Sequence, residues 1–133
     1  MSGNTHCQVL IVDDDDNDIF FLGRAMEKAG IDCPVQVVSD GEQAIRYLAG
    51  EEKYANRSAH PLPDVVFLDL KMPLLDGFGV LEWRLKHPEL ASLRIFVLTG
   101  SFMEADRTRA LQLGATDFLI KPATPEILRQ VFA

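Results

Sequence analysis

Residues 64–73 read DVVFLDLKMP, and this stretch indicates the fold class. Four apolar residues (65–68) precede Asp69 without any polar alternation. A strand without alternation is typical of a sheet that is covered on both faces. Helices cover both faces when they connect parallel strands, so the stretch predicts an α/β fold with a parallel sheet.

Short apolar runs alternate with amphipathic stretches on both sides of this strand. The pattern predicts strands at 7–12, 34–39, 64–70, 94–100 and 116–121. It predicts helices at 17–30, 42–49, 77–87 and 104–114, and a short final helix after residue 124. Asp40 and Thr124 are typical helix N-caps, and Gly30 and Gly114 are typical of helix ends. The chain is therefore predicted to repeat a βα unit five times.

Length and composition indicate one domain. The chain has 133 residues, of which 47% are hydrophobic and 25% are charged, an ordinary balance for a soluble domain. We expect a single domain over residues 1–133, with 1–6 as an N-terminal tail. The polar loop 50–63, which contains Pro61 and Pro63, is interpreted as a surface excursion between the second helix and the third strand.

Charge and targeting signals narrow the function classes. The formal net charge is −7, which repels nucleic-acid backbones and anionic membranes, so neither is expected as a direct partner. No apolar run approaches the roughly 20 residues that span a bilayer, and the N-terminus lacks a signal-peptide pattern. Cys7 and Cys33 have no metal-binding spacing and are expected to be free thiols. We expect a cytoplasmic protein.

Reactive side chains follow four of the five predicted strands. The first strand runs into the acidic run 13–16, and three others end on Asp69, Thr99 and Lys121. Ligands of open α/β sheets bind at the carboxyl ends of the strands. The sequence therefore predicts a functional site at this edge of the sheet.

Acidic residues at this edge predict a metal site. Asp13, Asp14 and Asp69 converge if the first and third strands are neighbours, and carboxylates this close repel unless a cation or proton intervenes. Oxygen ligands without His or Cys select a hard ion, Mg²⁺ or Ca²⁺. The glycine and the terminal glutamate of an EF-hand loop are missing. The remaining acids of this turn are interpreted as solvated helix-start residues: Asp15, Asp16 and Asp18.

Asp69 is the candidate nucleophile. A strand-end carboxylate can attack phosphorus once a metal screens its charge. Lys121 brings a cation and Thr99 a hydroxyl to the same edge, and both can stabilise the oxygens of a transferring phosphoryl group. The combination favours phosphoryl transfer.

Several motifs in a fixed order carry a family resemblance. They are VDDD (12–15), LDLKMP (68–73), LLDG (74–77), LTGS (98–101) and IKP (120–122). With them, the chain resembles the response-regulator receiver domains of two-component signalling over nearly its whole length. EKYAN (52–56) and WRLKHPEL (83–90) resemble small stand-alone regulators that are paired with phytochrome-like sensor kinases. The resemblance implies a doubly wound, flavodoxin-like sheet of strand order 2-1-3-4-5.

The resemblance also implies roles for individual residues. Asp69 would accept the phosphoryl group, and Mg²⁺ would bind Asp14 directly, Asp13 directly or through water, Asp69, and the backbone carbonyl of Lys71. Thr99 and Lys121 would contact the phosphoryl group. The Lys121–Pro122 bond would be cis, as only X–Pro bonds adopt at low cost. Phe118 occupies the position of a switch aromatic that is often Tyr in the family, and is equally well interpreted as core.

The implied function is reception of a signal rather than enzymatic turnover of a substrate. The domain would accept phosphate from a sensor histidine kinase or a phosphotransfer protein, catalyse its own phosphorylation and dephosphorylation, and contact an unidentified downstream protein. The sequence is compatible with a homodimer and with a monomer. The alternative is a pseudo-receiver that binds a partner without being phosphorylated.

Three enzyme or cofactor classes fit the motifs less well. A haloacid-dehalogenase phosphatase needs a second Asp two residues after the nucleophile, where this chain has Lys71. A flavodoxin's flavin phosphate would be repelled by the acidic first loop. A nucleotide-binding module would need a Walker loop, which the sequence lacks.

Overall fold

The computed structural model describes residues 7–133, and the expected tail 1–6 lies outside the described residues. Five strands form one parallel sheet: β1 (Val9–Val12), β2 (Val35–Val38), β3 (Val65–Leu68), β4 (Arg94–Thr99) and β5 (Asp117–Ile120). The helices are α1 (Asp16–Lys28), α2 (Gly41–Ala49), α3 (Gly77–Leu85), α4 (Glu104–Gln112) and α5 (Pro125–Val131). Each element lies within two residues of its predicted position.

Side-chain caps explain where the helices begin. The Asp40 carboxylate accepts a hydrogen bond from the backbone N–H of Gln43 at 2.8 Å, and the Thr124 hydroxyl accepts one from Ile127 at 3.2 Å. These bonds satisfy N–H groups that lack a partner within the first turn. Both predicted caps are confirmed. Gly30 and Gly114, beyond the ends of α1 and α4, have the positive φ values expected there, 78° and 97°.

The sheet has the order β2-β1-β3-β4-β5, which confirms the fold implied by the resemblance. Val12 pairs with Leu68, the last residues of β1 and β3, so the next residues, Asp13 and Asp69, leave the sheet side by side. Thr99 pairs with Ile120, which brings Lys121 to the same edge. Strand register alone therefore assembles most of the site.

Both faces of the sheet carry a hydrophobic core. Leu10 and Val12 face α2, α3 and α4, whereas Val9 and Ile11 face α1 and α5. All four residues of β1 and all four of β3 are buried, as their unbroken apolar runs predict. Burial of each large side chain contributes about 1.5–3 kcal/mol to folding.

Loop 50–63 runs over the surface between α2 and β3, as its polarity predicts, and is anchored there by two side chains. It contains a 3₁₀ turn (Glu52–Ala55), and the buried Tyr54 packs on Tyr47 of α2 with ring centroids 5.0 Å apart. The Arg57 guanidinium donates hydrogen bonds to the carbonyl oxygens of Tyr47 and Leu48 at 2.8 and 2.9 Å. These two long side chains anchor the loop to the end of α2, a contact that the polarity of the loop did not indicate.

The structure also describes the two cysteines and the lengths of the helices. Cys7 and Cys33 are free thiols. Across residues 7–133, the helices are too short and too polar to cross a bilayer.

Candidate functional site at the carboxyl ends of the strands

Three acids converge next to the ends of β1 and β3. Asp13, Asp14 and Asp69 each offer a carboxylate oxygen, and these oxygens lie within 4.8 Å of one another. Asp13 and Asp69 are buried, and Asp14 is exposed. Burial is the main cause that raises the pKa of the Asp13 carboxyl, and the neighbouring Asp69 charge adds to it, against the opposing influence of Lys121.

Lys121 holds the acids together. Its Nζ lies 2.9 Å from Oδ2 of Asp13 and 3.0 Å from Oδ2 of Asp69. Burial alone would lower the pKa of this ammonium, but hydrogen bonds to its carboxylate partners outweigh burial and hold the pKa above its usual range. Lys121 is therefore a cation at the site, as predicted.

Asp18 also belongs to this cluster, contrary to its interpretation as a solvated helix-start acid. Its Oδ2 lies 2.7 Å from Lys121 Nζ. The sequence carries no local signal for this contact, since the two residues are 103 positions apart. The first turn of α1 turns the side chain back towards the end of β5.

The rest of the acidic turn behaves as predicted. Asp15 caps α1, because its Oδ1 accepts hydrogen bonds from the N–H groups of Asn17 and Asp18. Asp16 is exposed. The N–H of Asp15 in turn donates to Oδ1 of Asp13 at 2.9 Å, so the turn fixes the first metal-ligand candidate as well as the helix start.

Thr99 and the loop after β4 form the next wall of the site. Thr99 is almost fully buried, and its Oγ1 lies 3.4 Å from the N–H of Ser101. Ser101 donates to Oδ2 of Asp106 at 2.6 Å and accepts from the N–H of Met103 at 3.2 Å. These contacts order the loop, and a role for Asp106 was not predicted from the sequence.

The backbone after Asp69 is closely packed. Lys71 is exposed, and its N–H lies 3.4 Å from Oδ1 of Asp69. A Cβ at Gly77 would collide with the backbone carbonyl of Asp69, so only glycine allows α3 to begin this close to the acceptor. The Lys121–Pro122 peptide bond is cis, as expected.

Space is available beside these groups. A cleft of about 520 Å³ is lined by residues that include Asp14, Lys71 and Asp106. A second cleft, of about 530 Å³, lies at the opposite end of the strands and includes Cys7 and Phe132. The converging carboxylates lie beside the first cleft, so the chemistry is assigned there.

The geometry agrees with a known family. A model described as the response regulator receiver domain matches residues 9–133. The chain belongs to this family.

One curated relative is about twice as long as this chain. The transcriptional regulatory protein GltR of Pseudomonas aeruginosa is 36% identical over 134 residues, which cover 100% of this chain and 50% of GltR. The chain thus spans about half the length of that relative.

Solved structures resemble the receiver over most of both chains. Response regulator RPA3017, in red light signalling of R. palustris, has a TM-score of 0.87 at 32% identity and covers 95% of this chain and 91% of its own. The phosphorylated cyanobacterial phytochrome response regulator RcpA scores 0.81 at 31% identity, covering 95% and 88%. The Mn²⁺-bound form of response regulator Rcp1 scores 0.80 at 27% identity, covering 94% and 88%.

The receiver's donor set fits a hard divalent cation. Its three convergent ligands are carboxylate oxygens, which Mg²⁺ and Mn²⁺ prefer. Octahedral Mg²⁺ places its ligand oxygens no more than about 4.2 Å apart, so oxygens already within 4.8 Å need only a small adjustment. The burial that raises the pKa of Asp13 disfavours its charged form, and a cation would relieve that cost.

Phe118 is a core residue of the receiver in this conformation. The ring is buried and belongs to the cluster that packs against α2, α3 and α4. This position agrees with the interpretation of Phe118 as core, and its role as a switch aromatic stays a prediction.

Proposed function

We propose that this receiver accepts a phosphoryl group on Asp69 in a Mg²⁺-dependent reaction. The observation that carries the proposal is the position of Asp69. Its buried carboxylate contacts Lys121 at 3.0 Å and shares a potential metal site with Asp13 and Asp14. The phosphorylated form of RcpA and the Mn²⁺-bound form of Rcp1 support the same chemistry in similar structures.

Mg²⁺ would be held by the three carboxylates and by the backbone carbonyl of Lys71. When bound, it would screen negative charge between the acceptor and the phosphoryl group. The protein's own part is to hold the Asp69 carboxylate against Lys121 and next to Asp13 and Asp14. An Asp69 oxygen then bonds to phosphorus while the donor's bond to phosphorus breaks, and the Lys121 ammonium donates to a phosphoryl oxygen.

The donor is proposed to be a sensor histidine kinase or a phosphotransfer protein. A phytochrome-like kinase is the favoured class, because RPA3017 and RcpA belong to red-light and phytochrome signalling. We place the protein in the cytoplasm. Hydrolysis of the acyl phosphate at the same site would end the signal, so the domain acts on itself and not on a separate substrate.

Output is proposed to pass through protein contacts at α4, β5 and α5, with a downstream protein or a second copy of the chain. A phosphoryl group at Asp69 would draw the Thr99 hydroxyl towards it, because the hydroxyl can donate a hydrogen bond. Phe118 packs next to β4, since Val97 pairs with it in the sheet. Movement of Thr99 would therefore change the packing of Phe118 and the conformation of the surface around it.

Intact-mass spectrometry tests the proposal. The purified protein is incubated with a small phosphodonor such as acetyl phosphate, with Mg²⁺ or with a chelator. We expect the mass to rise by one phosphoryl group only with Mg²⁺, and not in Asp69→Asn. Asp76→Asn, an exposed helix cap nearby, is the matched control and should be phosphorylated. Failure of the wild type with every donor and with a kinase would favour the pseudo-receiver.

A further inference from the structure

Asp18 makes the shortest contact of the Lys121 ammonium. Its Oδ2 lies 2.7 Å from Nζ, against 2.9 Å for Asp13 and 3.0 Å for Asp69. The Lys121 side chain is only 16% exposed and that of Asp18 is 36% exposed, so the pair is partly shielded from water. This contact joins the first turn of α1 to the end of β5.

The acidic turn holds Asp18 in place. The N–H of Asp18 donates to Oδ1 of Asp15 at 3.1 Å. The N–H of Asp15 donates to Oδ1 of Asp13 at 2.9 Å. Two successive side-chain-to-backbone bonds thus fix Asp18 relative to the metal-ligand candidate, and its carboxylate remains free to meet Lys121.

Asp18 differs from the other two partners of Lys121 in one respect. Among the described residues, the carboxylates that lie close enough to share a metal ion are those of Asp13, Asp14 and Asp69. A lysine ammonium has three N–H donors, and a metal at this site would compete for two of its three acceptors. The metal would not compete for the carboxylate of Asp18, so this acceptor remains available to Lys121.

We propose that Asp18 is a positioning residue that retains Lys121 at the site while a divalent cation and the phosphoryl group engage the other carboxylates. The inference rests on the proposed phosphoryl acceptance. Lys121 has a flexible four-carbon stem whose rotamers must be restricted before it can donate to a chosen oxygen. Asp18 supplies that restriction from α1.

The first experiment compares Asp18→Ala with Asp16→Ala. Asp16 is an exposed acid of the same helix turn, so its loss removes the same charge without removing the lysine contact. At saturating Mg²⁺, Asp18→Ala should slow phosphorylation by acetyl phosphate on the order of tenfold, as for one lost charge-assisted hydrogen bond. Asp16→Ala should stay within about twofold. In a Lys121→Met background, Asp18→Ala should have no further effect.

A second readout does not require phosphorylation. With Mg²⁺ present, acylation of Lys121 by an amine-reactive ester is followed by peptide mass spectrometry. Lys121 should react faster in Asp18→Ala than in the wild type or Asp16→Ala, because its restraint is gone. Isothermal titration of Mg²⁺ confirms that each variant is saturated.

The outcomes separate the positioning role of Asp18 from the proposed phosphoryl acceptance on Asp69. Unchanged Lys121 labelling in Asp18→Ala, or a phosphorylation rate that excess Mg²⁺ restores, overturns the positioning role. If the wild type accepts no phosphoryl group but labelling still rises in Asp18→Ala, phosphoryl acceptance fails and the restraint of Lys121 stands.

Discussion

This receiver contains a buried cation, Arg84, and a half-buried one, Lys121, and the groups around them are of opposite kinds. Lys121 meets three carboxylates at the carboxyl ends of the strands. Arg84 of α3 donates instead to three backbone carbonyls, those of Leu90, Leu93 and Gly114. Neutral carbonyls fixed by the fold make Arg84 a structural clamp. Excess negative charge around Lys121 leaves a site that can take up a further cation.

The titration behaviour of the two cations shows the same contrast. Burial lowers the pKa of the Arg84 guanidinium, and no carboxylate offsets it. For Lys121, hydrogen bonds to carboxylates outweigh the lowering by burial and raise the pKa above its usual range. In this receiver, a buried cation therefore indicates a functional site only where its hydrogen-bond partners are themselves charged.

Replacing Lys121 should have the largest effect on function. Lys121→Met is expected to slow phosphorylation by about a hundred- to a thousandfold, as for loss of one preorganised donor. The variant should stay folded with Mg²⁺, which can replace the lost positive charge. Rates are measured by intact mass with acetyl phosphate, and Lys86→Met, an exposed lysine, is the control. A normal phosphorylation rate in Lys121→Met would show that Lys121, like Arg84, is not needed for the reaction.

Replacing Arg84 should instead affect stability. Arg84→Met leaves three carbonyls without their donor, and about 2–3 kcal/mol of unfolding free energy should be lost. Urea unfolding measures this loss, and Arg94→Met, an arginine with an exposed position, is the comparison. The phosphorylation rate of folded Arg84→Met should match that of the wild type. A folded Arg84→Met variant with a strongly reduced phosphorylation rate would show that Arg84 also contributes to phosphorylation.

The acidic site should also make stability depend on pH and metal together. A raised Asp13 pKa contributes stability that is complete below the ordinary carboxyl pKa and is lost as the pH rises through the folded-state pKa. Mg²⁺ binds the charged form and restores stability by mass action. The increase in melting temperature caused by Mg²⁺ should therefore be larger at neutral than at mildly acidic pH. An increase that does not grow with pH would argue against the cluster.

The smallest effect expected is a conformational one. With beryllofluoride as phosphoryl mimic, hydrogen exchange should change across residues 99–121 in the wild type and much less in Thr99→Ala. Phe118 is already buried, so the change should concern the packing around its ring and not its exposure. Changes confined to the loops that carry Asp14 and Asp69 would place the output surface elsewhere.

Much of this molecule follows from its sequence for one physical reason. Parallel strands joined by helices all end at one edge, so residues at the last position of a strand or directly after it meet there whatever the loops do. Asp13, Asp69, Thr99 and Lys121 could be assigned to the edge on that basis. Helix ends were equally predictable, because caps such as Asp40 act on their own first turn.

Contacts that depend on side-chain direction were not predictable. Asp18 looked like any acid in a first helical turn, and only the tertiary placement of α1 turns it to Lys121. Arg84 sits on a helix where an arginine would ordinarily face solvent, yet it is buried. Tyr54 lies in a polar loop but packs on Tyr47. Each of these contacts joins segments whose relative position is set by the packed fold.

Locating the covalent bond shows whether Asp69 is the phosphoryl acceptor. The phosphorylated protein is reduced with borohydride, which converts an aspartyl phosphate to homoserine, and the peptides are sequenced by mass spectrometry. We expect homoserine at position 69, dependent on Mg²⁺ during phosphorylation. Modification at any other residue, or at Asp69 equally in the presence of a chelator, would contradict it.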